Sequence, residues 1–220
     1  MNSLYSQKKS CHEATHSDIM RGLTPSFFMK EIIHRSILLT EDECSVISDY
    51  VLNNEEQIKD MGPDIYDGAP DNSLTGRFYL FNYLNVPEIN LILKPKLQNL
   101  FNDLNLESEI YVQCWANTYR KGDYINPHCH GGPCEDYLCA NIFLRGFVEP
   151  GTTYYIDSGI VDLKNTIGEI VLFDSFTFHG VKAYMHDDIR ITLAMDIHHG
   201  IGESVSKFMY DNDPERYYKM

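Results

Sequence analysis

Basic residues are scarce in this 220-residue chain. Lys and Arg together number 18 against 32 Asp and Glu, which gives a formal net charge of −14. Such a charge repels polyanions, and no segment carries a basic run, so nucleic acid is disfavoured as a partner. The same charge serves solubility and suits a neutral or cationic substrate, either a small molecule or a peptide. The sequence leaves the oligomeric state open, with a homodimer as one candidate.

Long apolar runs are also missing. No run approaches the ~20 residues that span a bilayer, and the polar segment from Met1 to Arg21 lacks the hydrophobic stretch of a signal peptide. We therefore expect no membrane association and a cytoplasmic location. The cysteines include no CxxC pair, and we interpret them as reduced thiols. A zinc site from Cys129, Cys134 and Cys139 with a histidine is the alternative, although these five-residue spacings fit zinc loops poorly.

The length favours one domain with additions at its ends. We expect residues 1–22 to form a mobile lead-in, residues 23–200 the domain, and residues 201–220 a C-terminal tail. The β-branched and aromatic segment 27–38 precedes Thr40 and Glu43, whose spacing is that of a capping box and predicts a helix to about Asn53.

The next part of the chain predicts a loop, a strand and a second helix. Residues 55–73 are rich in Asp, Gly and Pro and predict a long surface loop, which is a candidate substrate lid. Residues 77–81 predict a short strand. Leucines at helical spacing from Leu93 to Leu104 predict a helix, with Pro95 near its start.

Beyond Glu109 the pattern changes to short strand-like runs divided by Gly, Pro, Asn and Asp. No helical pattern separates these runs, so they predict an antiparallel β-domain, a sandwich or a jelly roll, rather than a parallel sheet. The predicted strands are 109–119, 137–145, 152–156, 168–173, 178–184 and 189–197.

Two histidines stand two positions apart in His128-Cys129-His130. In an extended segment both side chains leave the same face of the strand and can converge on one ion. Pro127 before them and glycines after them place the pair where a strand turns into an open loop. His179 follows an apolar run and is the candidate third ligand, whereas the neighbours His198 and His199 point to opposite faces and are interpreted as structural.

Arg190 lies eleven residues beyond His179 and shares a strand face with Thr192. A guanidinium that points into a barrel is costly to bury unless it meets an anion. The planar fork of arginine matches a carboxylate, and the hydroxyl of Thr192 adds a donor. This pair predicts a carboxylate-binding position, with a salt bridge to Asp187, Asp188 or Asp196 as the simpler interpretation.

Residues 109–197 resemble the iron(II)/2-oxoglutarate-dependent dioxygenases, in particular the prolyl-hydroxylase-like branch with its bacterial and viral relatives. That family has an HxD or HxE pair, a distant His, then Arg or Lys about ten residues on, often followed by x-Ser or x-Thr. The matching segments are 115–119, Gly122, 126–130, 141–144, 168–173, His179 and 190–192.

This resemblance implies an α+β fold that is mainly β, a double-stranded β-helix (jelly roll, cupin-like) with N-terminal helices packed on one sheet. It implies that His128 and His179 bind Fe(II) and that Arg190 with Thr192 anchors the far carboxylate of 2-oxoglutarate, with Tyr119 a further contact to this cosubstrate. The implied reaction uses O2 to hydroxylate an unactivated C–H bond and releases succinate and CO2.

One position departs from the family, because His130 stands where Asp or Glu is usual. We interpret His130 as the third metal ligand, which gives three neutral imidazoles that distinguish iron from other metals less well. In one alternative, Glu135 or Asp136 loops back to supply a carboxylate. In another, the frame shifts to His130-Gly131-Gly132 and leaves a vacancy for chloride, as in the related halogenases.

Two other functions compete with this hypothesis. A cupin-like metalloenzyme would use the three histidines and no keto acid, and the dependence of turnover on Arg190 distinguishes it. A non-catalytic β-sandwich binding module would use its histidines only for packing, and its metal content after purification distinguishes it.

Overall fold

Two antiparallel sheets and a few helices make up the part of the chain that the structure describes. The computed structural model describes residues 31–63, 73–106, 109–130, 137–200 and 207–220. The elements in chain order are β1 (Ile32–Ile37), α1 (Glu41–Asp60), α2 (Pro87–Asp103), β2 (Ile110–Tyr119), β3 (Ile125–His128), β4 (Leu138–Arg145), β5 (Thr152–Ile156), β6 (Gly159–Leu163), β7 (Glu169–Asp174), β8 (Phe178–Val181), β9 (Arg190–His199), α3 (Lys207–Asn212) and β10 (Tyr218–Lys219).

The larger sheet has six strands in the order β1-β7-β4-β9-β2-β10, and the smaller has four in the order β3-β8-β5-β6. Every pairing in both sheets is antiparallel. The prediction of an antiparallel, mainly β domain is therefore confirmed, and the six predicted strands correspond to β2, β4, β5, β7, β8 and β9. The sequence pattern missed β6 and the short β10.

The two faces of the six-stranded sheet have different neighbours. On β9, Ile191, Leu193, Met195 and Ile197 belong to a core cluster that also contains the buried stripes of both long helices. We call this side the helix face. The alternate residues, including Arg190, Thr192 and Asp196, lie on the opposite side, which we call the inner face. Tyr154 of β5 packs there against Phe173 of β7, so the inner face meets the four-stranded sheet.

The first helix begins as predicted and ends later. Thr40 and Glu43 form both hydrogen bonds of a capping box, which confirms the predicted start. The predicted end near Asn53 was wrong, because the helix continues to Asp60. Its last turns are stabilised by Glu55, which is buried and binds Arg120 and the hydroxyl of Thr118. Residues 55–60 of the predicted surface loop are therefore helical, and residues 64–72 lie outside the described chain.

The second helix has Pro87 in its first turn and Pro95 in its interior, which corrects the prediction that Pro95 lies near its start. An interior proline removes one helical hydrogen bond. The helix continues through it because Ile89, Leu93 and Leu97 form a fully buried stripe against the sheet.

The strand predicted at residues 77–81 was also wrong. A 3-10 turn at Thr75–Arg77 precedes a turn over these residues. The segment is held by tertiary contacts: the guanidinium of Arg77 donates to the carbonyls of Ser73 and Gly62, and the hydroxyl of Tyr79 donates to the carbonyl of Pro63.

Among the described helices, none combines the length and the apolar character that crossing a bilayer requires. The predicted lead-in at residues 1–22 lies outside the described chain.

Candidate metal centre and anion pocket

The three predicted histidines meet between β3 and β8. His128 is the last residue of β3 and pairs directly with His179 of β8, so that their ring centroids lie 4.5 Å apart. His130 follows two residues later, with its ring centroid 5.0 Å from that of His179. One nitrogen from each ring can be chosen so that all three lie within 4.8 Å of one another. The structure thus brings together residues from two strands and a loop in the geometry of a metal site.

A glycine beside the third histidine permits this approach. A Cβ atom at Gly180 would lie 2.9 Å from the carbonyl oxygen of Ile125 and 3.0 Å from the nitrogen of Pro127. Both contacts are backbone, so a side chain at this position would push β3 away from β8. The close approach of His128 to His179 therefore requires a glycine at position 180.

Hydrogen bonds at the far side of each ring fix which nitrogen faces the centre. Nδ1 of His128 lies 2.9 Å from the carbonyl oxygen of Asn126, and Nδ1 of His179 lies 3.1 Å from that of Thr177. Nδ1 of His130 lies 2.6 Å from Oδ1 of Asp196. Since a carbonyl or carboxylate oxygen only accepts, each Nδ1 carries a proton, and in a neutral ring the lone pair is then on Nε2. The Nε2 atoms of His128 and His130 are 3.3 Å apart, a spacing that suits two ligands at about 2 Å from one ion.

Burial keeps the rings of His128 and His179 neutral. It lowers the pKa of His128 to about 4, with a further contribution from neighbouring His130. Burial likewise holds the pKa of His179 well below its ordinary value, and the two neighbouring rings add to the effect. Neutral imidazole is the form that binds a metal, so both side chains are ready to act as ligands at neutral pH.

Both the backbone and the ring of His130 are fixed by contacts. Its backbone N–H donates to the carbonyl of Ser175 at 3.0 Å, and its carbonyl accepts from the hydroxyl of Tyr137 at 2.9 Å. Its ring packs against Trp115 with centroids 5.6 Å apart. Together with the bond to Asp196, these contacts direct the ring towards the other two histidines. Glu135 and Asp136, the alternative source of a carboxylate ligand, lie outside the described residues, as do Cys134, Gly131 and Gly132.

Asp196 is the residue of this site that the sequence did not identify as part of it. It lies on the inner face of β9 and is buried, and its Oδ1 also accepts from the thiol of Cys139 at 3.3 Å. Burial opposes its ionisation, but the neighbouring His130 holds the pKa of Asp196 below its ordinary value. Burial raises the pKa of Cys139 well above its ordinary value, so this cysteine is a thiol. The available signal was periodicity, because Asp196 continues the alternation of Arg190 and Thr192.

Arg190 is buried in the same sheet and has no charged hydrogen-bond partner among residues that the structure describes. Only 1% of its surface is exposed. Its Nη2 makes two long contacts of 3.3 Å, to the hydroxyl of Thr152 and the side-chain oxygen of Asn165. Within the described part of the chain, its Nε and Nη1 have no hydrogen-bond partner. Burial accordingly lowers the pKa of Arg190.

The predicted salt-bridge partners of Arg190 are engaged elsewhere. Asp187 accepts from Lys121, Asp188 accepts from the hydroxyl of Tyr184, and Asp196 binds His130. The ring of Tyr119 lies beneath the guanidinium, with Cζ of Arg190 4.8 Å from its centroid, a cation–π contact. The guanidinium of Arg190 is therefore buried, and its Nε and Nη1 can still donate hydrogen bonds that no described residue accepts.

These donors belong to a cavity on the inner face of the sheet. Arg190 and Thr192 line it together with Asn141, Thr152, Tyr154 and Asn165. Tyr154 also stacks on His179, with ring centroids 6.0 Å apart. One aromatic side chain, Tyr154, thus lines the cavity of Arg190 and also contacts the histidine cluster. The hydroxyl of Thr192 accepts from the amide of Asn117 at 3.3 Å, which leaves its own proton to donate.

At the level of sequence, no family model and no curated protein matches this chain. Solved structures do match. The prolyl-4-hydroxylase of Pseudomonas putida is 14% identical with a TM-score of 0.57 and covers 76% of this chain and 92% of its own. The viral collagen prolyl hydroxylase of Paramecium Bursaria Chlorella virus-1, solved with 2-oxoglutarate, is 13% identical with a TM-score of 0.57 and covers 76% and 96%.

A third similar structure is the prolyl hydroxylase of Trichoplax adhaerens in complex with a peptide of the hypoxia inducible factor. It is 13% identical with a TM-score of 0.57 and covers 76% of this chain and 83% of its own. Likeness at this level of identity establishes the fold. The chain therefore has the fold of the prolyl hydroxylases and other 2-oxoglutarate- and Fe(II)-dependent oxygenases, as the resemblance of its sequence predicted.

Proposed function

We propose that this protein is an Fe(II)- and 2-oxoglutarate-dependent oxygenase that hydroxylates an unactivated C–H bond of a peptide or small molecule. The observation that carries the proposal is the buried guanidinium of Arg190, which has no carboxylate partner among the described residues and lines a cavity whose Tyr154 contacts His179, one of the three converging histidines. An unpaired buried charge is strongly destabilising, so its retention favours a bound anion. In this proposal the two facing sheets form a double-stranded β-helix, or jelly roll, around the site.

His128, His130 and His179 would hold the iron. Their Nδ1 atoms are engaged by oxygen acceptors, which leaves three Nε2 lone pairs towards one point. Neutral imidazole is a suitable ligand for Fe(II), although zinc, nickel and copper also accept it. The polar acceptors behind the rings are the outer partners that metal-binding histidines commonly have.

Arg190, Thr192 and Tyr119 would hold the cosubstrate. Within the described residues Nε and Nη1 of the guanidinium have no hydrogen-bond partner, so each has donors for an anionic ligand, and arginine binds carboxylates with such donors. The hydroxyl of Thr192 adds a third donor, and the ring of Tyr119 fixes the plane of the guanidinium. Tyr154 lies between this anchor and His179, so a short dicarboxylate would extend along it from Arg190 to the metal.

When bound, the metal and 2-oxoglutarate supply the oxidation of the substrate by O2, with release of succinate and CO2. The protein contributes position. The histidines fix the metal, Arg190 fixes the far end of the cosubstrate, and the buried walls of the cavity keep water from the reacting groups.

The first experiment is an anaerobic titration of the metal-free protein with Fe(II) and then 2-oxoglutarate. We expect a weak visible charge-transfer band only after both have been added, and succinate formation when air is admitted. In Arg190→Met we expect Fe(II) to bind as in the wild type while the band requires far more 2-oxoglutarate. Well-folded wild-type protein that binds Fe(II) but gives no band at any concentration of 2-oxoglutarate would contradict the proposal.

A cupin-like metalloenzyme that uses no keto acid is the second candidate, and the set of three histidines favours it because the family carboxylate is replaced by His130. The two functions differ at Arg190. If turnover of a substrate is unchanged in Arg190→Met and needs no 2-oxoglutarate, the cupin-like function is preferred. A requirement for chloride would instead identify a halogenase-like enzyme.

A further inference from the structure

The three histidines differ in what stands behind them. His128 and His179 each direct Nδ1 to a backbone carbonyl, which is neutral. His130 directs Nδ1 to the carboxylate of Asp196, at 2.6 Å. This carboxylate is buried, with 8% of its surface exposed, and its Oδ1 also accepts from Cys139. The histidine that replaces the usual carboxylate ligand is therefore the one whose Nδ1 faces a carboxylate.

We propose that Asp196 is a positioning residue for His130 and returns to the metal centre the negative charge that the third ligand lacks. The inference rests on the proposed function. Asp196 fixes the ring so that Nε2 faces the other histidines, and its charge makes that imidazole a stronger donor. A carboxylate behind a metal-binding histidine has this effect generally, because it orients the ring and raises its basicity.

The surroundings of Asp196 fix the oxygen that performs this role. The thiol of Cys139 donates to the same Oδ1 that receives Nδ1–H of His130. Cys139 is fully buried on β4, opposite Asp196 in the register of β4 and β9. The pairing of β4 with β9 therefore fixes the position of the Asp196 carboxylate in the metal-free protein. The hydrogen bond from His130 to this carboxylate then fixes the orientation of the His130 ring.

A different interpretation places a metal between His130, Cys139 and Asp196, whose ligand atoms also lie close together. The distance of 2.6 Å between Nδ1 and Oδ1 is typical of a charge-assisted hydrogen bond. Two ligands at about 2.1 Å from one ion would have to subtend about 76° to lie so close, which is far narrower than the angle of a tetrahedral site. The geometry therefore favours a hydrogen bond at this position and a metal on the opposite side of the ring.

The test is the affinity of the metal-free protein for Co(II), measured by calorimetry and by the visible spectrum of the bound ion. We expect Asp196→Asn to weaken Co(II) binding about 10- to 100-fold, the usual cost of removing an outer partner of a ligand. Asp196→Glu, which keeps the charge, should recover part of the loss. Glu55→Gln is the matched control: it removes another buried carboxylate, on the helix face of the sheet, and should leave Co(II) affinity unchanged.

The outcomes separate this inference from the proposed function. Wild-type protein that binds no metal overturns both. Wild-type affinity in folded Asp196→Asn, together with loss of binding in His128→Ala, overturns the role of Asp196 and leaves the oxygenase proposal standing. A sulfur ligand in the X-ray absorption spectrum of the Co(II) protein also overturns it, because the metal would then lie beside Cys139.

If Asp196→Asn does not fold, the wild-type protein supplies the test. Nitrogen-15 NMR of the metal-free protein should show His130 protonated at Nδ1, with that proton shifted far downfield by the short bond to Asp196. Co(II) or Zn(II) should then perturb Nε2 of the same ring. A wild-type His130 protonated at Nε2 would overturn the inference.

Discussion

The two faces of strand β9 perform different tasks with alternate residues. On the helix face, Ile191, Leu193 and Met195 are fully buried among the side chains of α1 and α2. On the inner face, Arg190, Thr192 and Asp196 are buried to almost the same degree but are polar or charged. One strand thus contributes both to the hydrophobic core and to the candidate site.

This contrast indicates that burial has opposite energetic consequences on the two faces. Burial of apolar surface on the helix face stabilises the fold by about 25 cal/mol per Å². Burial of the Arg190 guanidinium, which has no carboxylate partner in the described part of the chain, destabilises the fold. The inner face is therefore organised for binding at some cost in stability, and substitutions on the two faces should affect different measurements.

The largest effect on function is expected from a metal ligand. In His179→Ala, the substitution removes one of three Nε2 donors and leaves a space in a buried position. We expect metal binding and succinate formation to be lost, while the metal-free protein remains folded. Metal content after loading and far-UV circular dichroism measure these two properties. A variant with full metal content would break the assignment of the inner face to metal binding.

The helix face should show the reverse behaviour. Leu193 is fully buried between the sheet and the helices, so Leu193→Ala should lower the free energy of unfolding by about 2–5 kcal/mol through lost burial and the cavity left behind. Metal affinity, measured in the folded population, should not change. Denaturant unfolding of the metal-free variant gives the first quantity and calorimetry the second. A weakened metal affinity would show that the two faces are not independent.

A substitution of Arg190 should change cosubstrate binding and stability in opposite directions. Each charge-assisted hydrogen bond contributes about 1.5–3 kcal/mol, so Arg190→Met should weaken 2-oxoglutarate binding by at least about tenfold. The same substitution removes an unpaired buried charge and should raise the melting temperature of the metal-free protein. Thermal melts with and without 2-oxoglutarate measure both effects. A lower melting temperature would indicate that the guanidinium is satisfied in the free protein.

Much of the contrast between the faces could be predicted from the sequence, because alternation along a strand is a local signal. The shared face of Arg190 and Thr192 and the convergence of His128 with His130 both follow from period two. The pairing of His128 with His179 does not follow from period two. It depends on the register of two strands that are distant in the chain, and on a glycine at position 180. The sequence suggests Asp196 only as a partner of Arg190, whereas the structure pairs it with His130.

The errors in the fold have similar causes. Residues 77–81 have an apolar and aromatic composition typical of a strand, but side-chain bonds from Arg77 and Tyr79 to nearby carbonyls hold them in turns. The first helix continues past Asn53 because Glu55 forms an ion pair with Arg120, a residue that is distant in the sequence. Local propensity does not contain such long-range contacts.

The smallest expected effect is the separate response of the two faces to acid in the metal-free protein. In the unfolded chain a histidine binds its proton near pH 6.5, whereas folded His128 does so at about pH 4. The unfolded state therefore binds more protons between these values, and stability should fall as the pH falls through this window. In His128→Asn the fall should be smaller. A flat melting temperature from pH 6.5 to 4.5 in the wild type would contradict a neutral buried site.

On the helix face the relevant group is Glu55. Burial opposes its ionisation, but hydrogen bonds from Arg120 and Lys59 outweigh this and hold the pKa of Glu55 below its ordinary value of 4.5. Its contribution to stability is present above pH 4.5 and is lost as the pH falls through the folded pKa. Glu55→Gln should thus flatten the melting profile only below pH 4.5, and His128→Asn mainly above it. If both variants changed the same part of the profile, the two faces would not titrate independently.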